Sequence, residues 1–407
     1  MDRTLPTKAQ LDFMDWEFGL FFHYGIRTFY EGHTDWDGKY MDPAGFLPSE
    51  QDCRQWARAA KAAGAAYGIM TAKHHDGFAL WPSAYTEYGV KASPWKDGKG
   101  DAVREFLDAF RAEGLKVGLY YSPAQFGSLE TDPKAYDDYF VNQITELLTG
   151  YGKLDYLWFD GCGSDGHSYD RARIVGTIRA LQPEILLFGM WDPDTRWVGN
   201  EEGYAHADAP YLVEAGAEEL VGGMKFLPYE CDCKLHPDSW FYSDAAAPYV
   251  RSLPNLLGLW ELSVGRGGNL LLNVAPDRRG LLPESDAALL ARFGSARRAR
   301  YAEPVLSRGA CAGAEFCLNE APTGANADCL VLREDLKNGA YGGEYRFVYV
   351  SGGDETLLSS GSAVGHKRIV RFPAVQLGRW GWLRLEFSKP VALRDLALYG
   401  PKTEDNQ

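Results

Sequence analysis

Short apolar runs alternate with amphipathic segments between about residues 16 and 275. The runs are rich in Val, Ile, Leu, Phe and Tyr and do not alternate regularly between apolar and polar positions. Such runs are typical of strands that are buried on both faces of a parallel sheet. We predict strands in the runs at 18–25, 67–75, 115–123, 154–161, 184–190, 224–230, 256–264 and 268–274.

The segments between these runs have the spacing of helices. A helix is predicted at about 49–63 and another at 101–114, each ending at a glycine, which tolerates the left-handed conformation of a helix C-terminus. Two more helices are predicted at about 135–150 and 169–181. Repetition of strand and helix at this length indicates either a βα barrel or a doubly wound parallel sheet.

Polar side chains that can carry chemistry stand at the C-terminal ends of the apolar runs. In a barrel these ends converge on one mouth, where the active site is built. A dinucleotide-binding sheet usually carries GxGxxG after its first strand, and this chain has no such motif there. We therefore predict an α/β fold containing a (β/α)8 TIM-like barrel. The polar residues at its mouth are His23, His74, His75, Tyr121, Asp160 and Glu230.

The pattern changes after about residue 300. A last helical stretch near 284–302 is followed by short alternating runs separated by Gly, Pro and Asp turns, which is typical of antiparallel β structure. We predict two domains, a barrel at 1–302 and a smaller antiparallel β module at 303–407.

Composition and charge narrow the class of partner. The net charge of −14 argues against binding to nucleic acid or to an anionic membrane. The chain has 12 Trp and 23 Tyr, which suits sugar binding because a pyranose ring stacks on a flat aromatic face. The N-terminal residues show no secretory signal, and seven scattered cysteines fit a reducing compartment, so we expect a cytoplasmic protein.

The segment WFDG places a carboxylate directly after a buried strand. Asp160 follows Trp158 and Phe159 and precedes Gly161. A strand-end Asp among aromatic residues is suited to act as a glycosyl nucleophile, because it is held in place and partly desolvated. The alternative is an Asp that caps the next helix or bridges two loops.

Two consecutive histidines end another strand in the segment AKHHDGF. His74, His75 and, after the first strand, His23 can form hydrogen bonds with sugar hydroxyls. A metal site would need a fixed set of further ligands, and the chain has no HxxxH, HExxH or suitably spaced Cys partner. We therefore predict no metal site.

A retaining glycosidase also needs a second carboxyl group that acts as acid and then as base. Glu201 lies in the loop RWVGNEEGYA, where Trp, Arg and two Gly could allow the loop to cover a substrate. Spacing alone does not choose among the candidates, which are Glu201, Glu202, Glu230, Asp232 and Glu261.

Several of these motifs, in this order, resemble the α-L-fucosidases of glycoside hydrolase family 29. The motifs are HYG, AKHHDGFALWPSAYTEYGV, GLYYSP, LWFDG and GRGGNLLLNVAPDRRG. The resemblance covers about residues 13–300 and implies a retaining double displacement without a cofactor, on fucosylated oligosaccharides or glycoconjugates. It implies that Asp160 is the nucleophile and that the C-terminal module is a β-sandwich.

The resemblance also implies a set of fucose contacts. The matching residues are His23, His74, His75, Tyr121 and Trp158, together with Asp35 and Trp36, where Asp35 replaces a Glu of many members. The segment RWVGNE resembles the subgroup that prefers branched α-1,3/1,4 fucosides, which makes Glu201 the acid/base and places Arg196 beside it. Glu202 and then Glu230 are the alternatives.

Two other functions are compatible with the sequence. One is a barrel glycosidase of another specificity, such as a galactosidase, whose pocket would have to admit a CH2OH group where fucose has a methyl group. The other is a carbohydrate-binding relative that has lost catalysis, which the intact Asp160 argues against. The oligomeric state is left open.

Overall fold

The computed structural model describes residues 2–32, 37–125, 132–339 and 343–401. The helices in these ranges are α1 (Lys8–Trp16), α2 (Cys53–Ala63), α3 (Ala102–Ala112), α4 (Pro133–Gly150), α5 (Arg171–Leu181), α6 (Leu253–Ser263) and α7 (Glu284–Arg300). None of these described helices combines the length and the hydropathy that a membrane-spanning helix needs.

The structure describes ten strands before α7. They are β1 (Phe18–Phe22), β2 (Tyr67–Lys73), β3 (Lys116–Tyr121), β4 (Tyr156–Phe159), β5 (Leu186–Phe188), β6 (Arg196–Trp197), β7 (Leu212–Glu214), β8 (Met224–Phe226), β9 (Tyr229–Lys234) and β10 (Asn269–Asn273). Eight of them form one sheet in the order β5-β4-β3-β2-β1-β10-β9-β6, with every pair parallel. A parallel bridge between Phe188 and Thr195 brings its two edges together. The sheet is therefore a nearly closed barrel, as predicted.

Helices fill the outside of the barrel in most of its connections. The helices α2, α3, α4 and α5 each follow a strand in turn, and aspartate side chains accept hydrogen bonds from their first-turn amides. No helix lies between β5 and β6 or between β6 and β9, two connections that the structure describes in full. The second of these carries the β7–β8 hairpin instead.

The prediction of a strand at 256–264 is wrong, because this segment belongs to α6. The side chain of Ser252 caps the helix, and the buried residues Leu256, Leu259, Trp260 and Ser263 repeat at helical spacing. A short apolar run does not by itself distinguish a buried strand from a buried helix. The predicted strand at 224–230 covers β8 of the hairpin, and the barrel strand β9 begins only at Tyr229. The strand β6 was not predicted, because its two residues form no apolar run.

The C-terminal part of the chain forms a separate antiparallel sheet. Its strands are β11 (Leu306–Arg308), β12 (Cys311–Leu318), β13 (Asn326–Glu334), β14 (Tyr345–Ser351), β15 (Asp354–Gly361), β16 (Arg368–Gln376) and β17 (Gly381–Tyr399). The long strand β17 pairs with β11, β12, β13 and β14, so the sheet folds over its own hydrophobic core into a sandwich-like unit. The domain division at 302/303 stays a prediction.

A charge pair joins the barrel to the C-terminal module. The Lys367 ammonium donates to both carboxylate oxygens of Glu17 at 2.7 Å, and it lies 4.8 Å from the ring centre of Trp260. Lys367 is buried and Glu17 is partly exposed. Burial alone would raise the pKa of Glu17 and is the largest single effect. The attraction of Lys367 acts in the opposite direction, and the net pKa of Glu17 is lowered. The pair therefore holds Glu17 ionised at the junction.

We expect Lys367→Ala to lower the free energy of unfolding by about 3 kcal/mol, because it leaves the Glu17 carboxylate without its main partner. Urea denaturation measures this. The matched control is Lys337→Ala, whose lysine is exposed on the same module and pairs with Asp335 at 3.9 Å. That change should cost no more than about 1 kcal/mol. Equal losses in the two variants would contradict a stabilising role of the Glu17–Lys367 pair.

Candidate active site

A cavity of about 420 Å³ opens at the C-terminal ends of the barrel strands. Side chains from every side of the barrel mouth line it. They are Phe21, His23, His74, His75, Tyr120, Trp158, Phe159, Asp160, Cys162, Phe188, Met190, Trp197, Glu201, Asp232 and Trp240, with Gly161 and Gly189. The sequence prediction that polar strand ends meet at one mouth is therefore confirmed for the three histidines and Asp160.

One wall of the cavity is a row of stacked rings from four neighbouring strands. His74 stacks on Tyr120 with 5.4 Å between ring centres, Tyr120 stacks on Trp158 at 5.4 Å, and Trp158 stacks on Phe188 at 4.1 Å. The register of β3 and β4 pairs Tyr120 with Trp158, so both side chains lie on the same face of the sheet, and both line the cavity. We call these four residues the ring row. It gives the cavity a flat apolar surface.

Asp160 lies beside the ring row, just beyond the end of β4. Its carboxylate accepts a hydrogen bond from the Tyr120 hydroxyl at 2.9 Å and one from the Cys162 amide at 2.9 Å. Burial raises the pKa of Asp160 above its usual range, and these two hydrogen bonds oppose that rise. The carboxylate is held by two donors and keeps a partly exposed face toward the cavity, as a nucleophile requires.

His75 also contacts the Asp160 carboxylate. Its Nε2 lies 3.5 Å from Asp160 Oδ2, and its Nδ1 lies 2.6 Å from the Ser122 hydroxyl. Because Ser122 uses its one hydrogen toward the Ala124 carbonyl, Nδ1 must be the donor to Ser122. Burial lowers the pKa of His75 to about 3, so the ring is neutral and its Nε2 is an acceptor.

His23 has the same arrangement at the end of the neighbouring strand β1. Its Nδ1 lies 2.8 Å from Asn273 Oδ1, while the Asn273 amide nitrogen donates to the Trp240 carbonyl at 2.7 Å. The amide oxygen is therefore an acceptor and His23 Nδ1 donates to it. Burial lowers the pKa of His23 to about 3. The cavity thus presents neutral imidazoles, each with one ring nitrogen that is an acceptor and can match the O–H donor of a sugar.

The third histidine is neutral for the same reason. Burial, with smaller contributions from His75 and His23, lowers the pKa of His74 well below its usual range. Its Nδ1 is buried and has no hydrogen-bond partner among the described residues. His74 therefore retains an unused polar atom in addition to its stacking contact with Tyr120.

Two carboxyl groups face Asp160 from the side of β6 and β9. Glu201 lies on the loop after β6, with about half of its side chain exposed and its carboxylate 3.6 Å from the Lys234 ammonium. Asp232 points inward from β9, is buried, and accepts a hydrogen bond from the Trp197 indole at 2.7 Å. Burial raises the pKa of Asp232 to about 7. Either residue is placed to exchange a proton with a ligand.

Close packing holds the Glu201 loop against the barrel. Gly203 has φ of 78°, and a Cβ at this position would lie 2.5 Å from the Cys233 sulfur on the outward face of β9. The Asn200 side chain accepts a hydrogen bond from the Glu202 amide and donates one to the Tyr204 carbonyl. The loop conformation therefore depends on Gly203, and it directs Glu201 into the cavity.

Tyr121 does not reach the cavity. Its side chain points outward from β3, and its hydroxyl donates to Gln143 on α4 at 2.7 Å. The neighbouring Tyr120 faces inward instead. In a strand only one of two consecutive tyrosines can face the barrel interior, and Tyr120 shares its face with Trp158, which lines the cavity. Tyr121 is therefore corrected to Tyr120 as the tyrosine of this site.

Three other predicted residues also lie outside the cavity. The Arg196 guanidinium donates to the Pro210 carbonyl and lies 5.1 Å from the ring centre of Tyr229. Glu202 is exposed on the loop. Glu230 is buried below Trp158, whose indole donates to it at 2.9 Å. Two further predicted contacts, Asp35 and Trp36, lie outside the described residues.

Sequence reasoning noted the tryptophan of the Glu201 loop but did not identify Trp240. Trp197 stands in the RWVGNE segment, and Trp240 follows β9 in a loop that shows no strand-end pattern. Trp240 packs on His23 with 4.8 Å between ring centres. The sequence feature that could have pointed to Trp240 was the high number of tryptophans. No group of metal-ligating side chains suited to hold an ion occurs among the residues that the structure describes.

Comparison with known proteins gives one consistent result. The family model for alpha-L-fucosidase matches residues 3–296. A putative alpha-L-fucosidase 1 of Oryza sativa is 33% identical over 420 residues, which covers 91% of this chain and 80% of that one. A glycoside hydrolase 29 family member from an unknown rumen bacterium superposes with a TM-score of 0.88 at 32% identity, covering 99% of this chain and 78% of that one. A Ruminococcus gnavus GH29 fucosidase, solved in complex with fucose, superposes with a TM-score of 0.85 at 25% identity, covering 99% and 96%.

Proposed function

Because this chain belongs to the alpha-L-fucosidase family of glycoside hydrolases, we propose that it is a retaining exo-enzyme that removes terminal α-L-fucose from oligosaccharides or glycoconjugates. The observation that carries this proposal is the position of Asp160. It lies beside the ring row, held by the Tyr120 hydroxyl and the Cys162 amide, in a cavity lined by neutral histidines.

The cavity suits a deoxy sugar that has one apolar side. The ring row offers a flat face for the apolar face of the sugar, and the neutral His23 offers an acceptor nitrogen for one of its hydroxyl groups. Neutral histidines suit this role because a charged imidazolium would have no free acceptor. Their low pKa values keep them neutral over the whole range in which the enzyme would work. We propose His23, His74, His75, Tyr120 and Trp158 as the fucose contacts.

In the first step of the proposed reaction, an Asp160 oxygen attacks the anomeric carbon and the bond to the leaving oxygen breaks. Glu201 gives its proton to that oxygen, and fucose remains bound to Asp160 as an ester. In the second step Glu201 takes a proton from water, whose oxygen attacks the anomeric carbon and frees Asp160. Two inversions give net retention of configuration.

Glu201 is our choice for the acid/base because of its access. Its side chain enters the cavity from a loop at the mouth, where a leaving group would depart, and it is partly exposed to water. Asp232 is the rival that the structure supports best, since it lines the same cavity and burial raises its pKa to about 7. Glu202 and Glu230 lie outside the cavity.

We propose that the bound fucose is α-1,3- or α-1,4-linked to a branched oligosaccharide. Trp197, Trp240 and Asp232 extend the cavity on the Glu201 side, where the leaving sugar would lie. Two aromatic faces at this position suit a second pyranose better than a small leaving group. The linkage itself rests on the resemblance of the RWVGNE segment to the subgroup with this preference.

The experiment compares fucose release from an aryl α-L-fucoside and from a Lewis-type branched trisaccharide. Proton NMR follows the first anomer that appears, which will be α-fucose if the reaction retains configuration. Preferential release from the trisaccharide would support the linkage proposal. An initial β anomer would contradict the double displacement. An aryl galactoside serves as the control for specificity, and binding without turnover of any substrate would indicate a carbohydrate-binding relative.

A further inference from the structure

Glu230 is a fully buried carboxyl group in the interior of the barrel. It points inward from β9, below the cavity, and only 1% of the residue is exposed. It accepts hydrogen bonds from the Tyr67 hydroxyl at 2.5 Å, the Trp158 indole at 2.9 Å and the Tyr156 hydroxyl at 3.4 Å. These donors are all neutral. A carboxyl group buried without a cationic partner is costly to ionise, so it is unlike a group that acts through its charge. Its hydrogen bonds point to a different role.

The bond to Trp158 indicates that role. The Trp158 ring stacks between Tyr120 and Phe188 in the ring row. Stacking fixes the tilt of a ring but leaves it free to slide and turn in its own plane. The indole N–H is the one polar atom of this side chain, and Glu230 holds it from the opposite wall of the barrel. Together the two contacts define the position of the ring.

The position of Trp158 matters for the nucleophile. Tyr120 packs on the Trp158 face, and its hydroxyl donates to Asp160 at 2.9 Å. A shift of the indole would therefore move both the surface on which the sugar rests and the donor that orients Asp160. Reaction rates are sensitive to such displacements, since an error of about 1 Å can lower the rate by roughly 100-fold.

We propose that Glu230 is a positioning residue that orients Trp158, and through it Tyr120 and Asp160, and that it takes no part in proton transfer to the substrate. This inference rests on the proposed function of the site. The Trp158 ring lies between Glu230 and the cavity, and Glu230 is not among the residues that line the cavity. Glu230 therefore lacks the access that an acid/base needs.

The neutral surroundings of Glu230 define a conservative replacement. Burial raises its pKa to about 8 despite the bonds from Tyr67 and Trp158. The ionisable groups around it are Tyr67, Tyr156 and Asp232, and burial raises the pKa of each of these as well. Near pH 6 to 7 the Glu230 carboxyl is therefore mostly protonated. A glutamine has the same shape and charge and can still accept the indole N–H bond.

The test compares Glu230→Gln with Glu230→Leu, using an aryl α-L-fucoside. We expect Glu230→Leu to lower kcat by roughly 10- to 100-fold, since the indole loses its acceptor. Glu230→Gln should recover most of that loss. Added azide should not rescue either variant, because neither has lost a proton donor. Rescue of Glu230→Leu by azide would instead identify Glu230 as the acid/base and overturn the proposal.

A second variant and a matched control separate positioning from loss of stability. Trp158→Phe removes the N–H and keeps an aromatic ring, so Glu230→Leu should add little further loss of kcat in that background. Glu261→Leu is the control, because Glu261 also accepts a tyrosine hydroxyl, that of Tyr301 at 2.6 Å, but lies outside the cavity. It should lower the Tm with little change in kcat.

The outcomes distinguish this inference from the proposed function. If the unmodified enzyme releases no fucose from any fucoside, the proposed function fails and no kcat comparison is possible. If it is active but Glu230→Leu and Glu261→Leu change kcat equally, the positioning role fails alone. Additive losses in Glu230→Leu and Trp158→Phe would also overturn it. If Glu230→Leu does not fold, Trp158→Phe must still lower kcat for the proposal to stand.

Discussion

Replacement of Asp160 by alanine is expected to lower turnover of an aryl α-L-fucoside by about 10⁴-fold or more, as loss of a nucleophile does in other enzymes. The physical reason is that the residue supplies the attacking oxygen, which no neighbour can replace. His75 is neutral and bound to Ser122, and Tyr120 loses its acceptor. The barrel should still fold, because Asp160 follows the end of β4 and is partly exposed. Steady-state kinetics and circular dichroism measure the two effects.

The small space left by this substitution offers a direct test of the role of Asp160. Azide should enter it and attack the anomeric carbon, giving fucosyl azide of inverted configuration. Asp165→Ala is the matched control, since Asp165 is exposed in the same loop and does not line the cavity. Ordinary activity in Asp160→Ala would remove the residue from the mechanism. So would an equal loss of activity in the Asp165 variant.

Replacement of Glu201 by alanine should have an effect that depends on the leaving group. We expect a loss of about 10²- to 10⁴-fold with a sugar leaving group, the usual contribution of general acid–base catalysis. The loss should be much smaller in the first step with a dinitrophenyl fucoside, because this leaving group departs without a proton. Azide should accelerate the second step and give fucosyl azide of retained configuration, since it attacks the ester that Asp160 has formed.

Two further substitutions serve as comparisons for Glu201. Glu202 is the adjacent residue, is exposed, and lies outside the cavity, so Glu202→Ala should behave almost like the unmodified enzyme. Asp232→Asn keeps the contact with the Trp197 indole and removes the ionisable group. If azide rescues Asp232→Asn and not Glu201→Ala, then Asp232 is the acid/base. The raised pKa of Asp232 would then have its explanation in catalysis.

Predictions from the sequence were most accurate for the first half of the barrel. The first four strands were predicted correctly because each is a continuous apolar run next to a capped helix. The candidate nucleophile was placed correctly at the mouth because a carboxylate after a parallel strand has only one end of the barrel to occupy. His23, His74 and His75 reached the same cavity for the same reason.

Predictions were poorer where the second half of the barrel departs from regular strand–helix repetition. The strand β6 has two residues, and its pairing with β9 comes from the closure of the barrel rather than from its own sequence. The apolar segment at 256–264 became a helix because its buried face repeats at helical spacing against neighbouring elements. Short apolar runs leave this choice to tertiary packing.

The sequence by itself determined the class of fold, and it placed the candidate site with Asp160 at the mouth of the barrel, because these depend on local pattern and on the direction of parallel strands. Only the tertiary structure decided which tyrosine, Tyr120 or Tyr121, faces inward, since this follows from the register between β3 and β4. It also separated Glu201 and Asp232, which enter the cavity, from Glu230, which lies beneath Trp158. How deep a side chain lies inside the barrel depends on how strands that are distant in the sequence pair. Neighbouring residues in the sequence do not determine it.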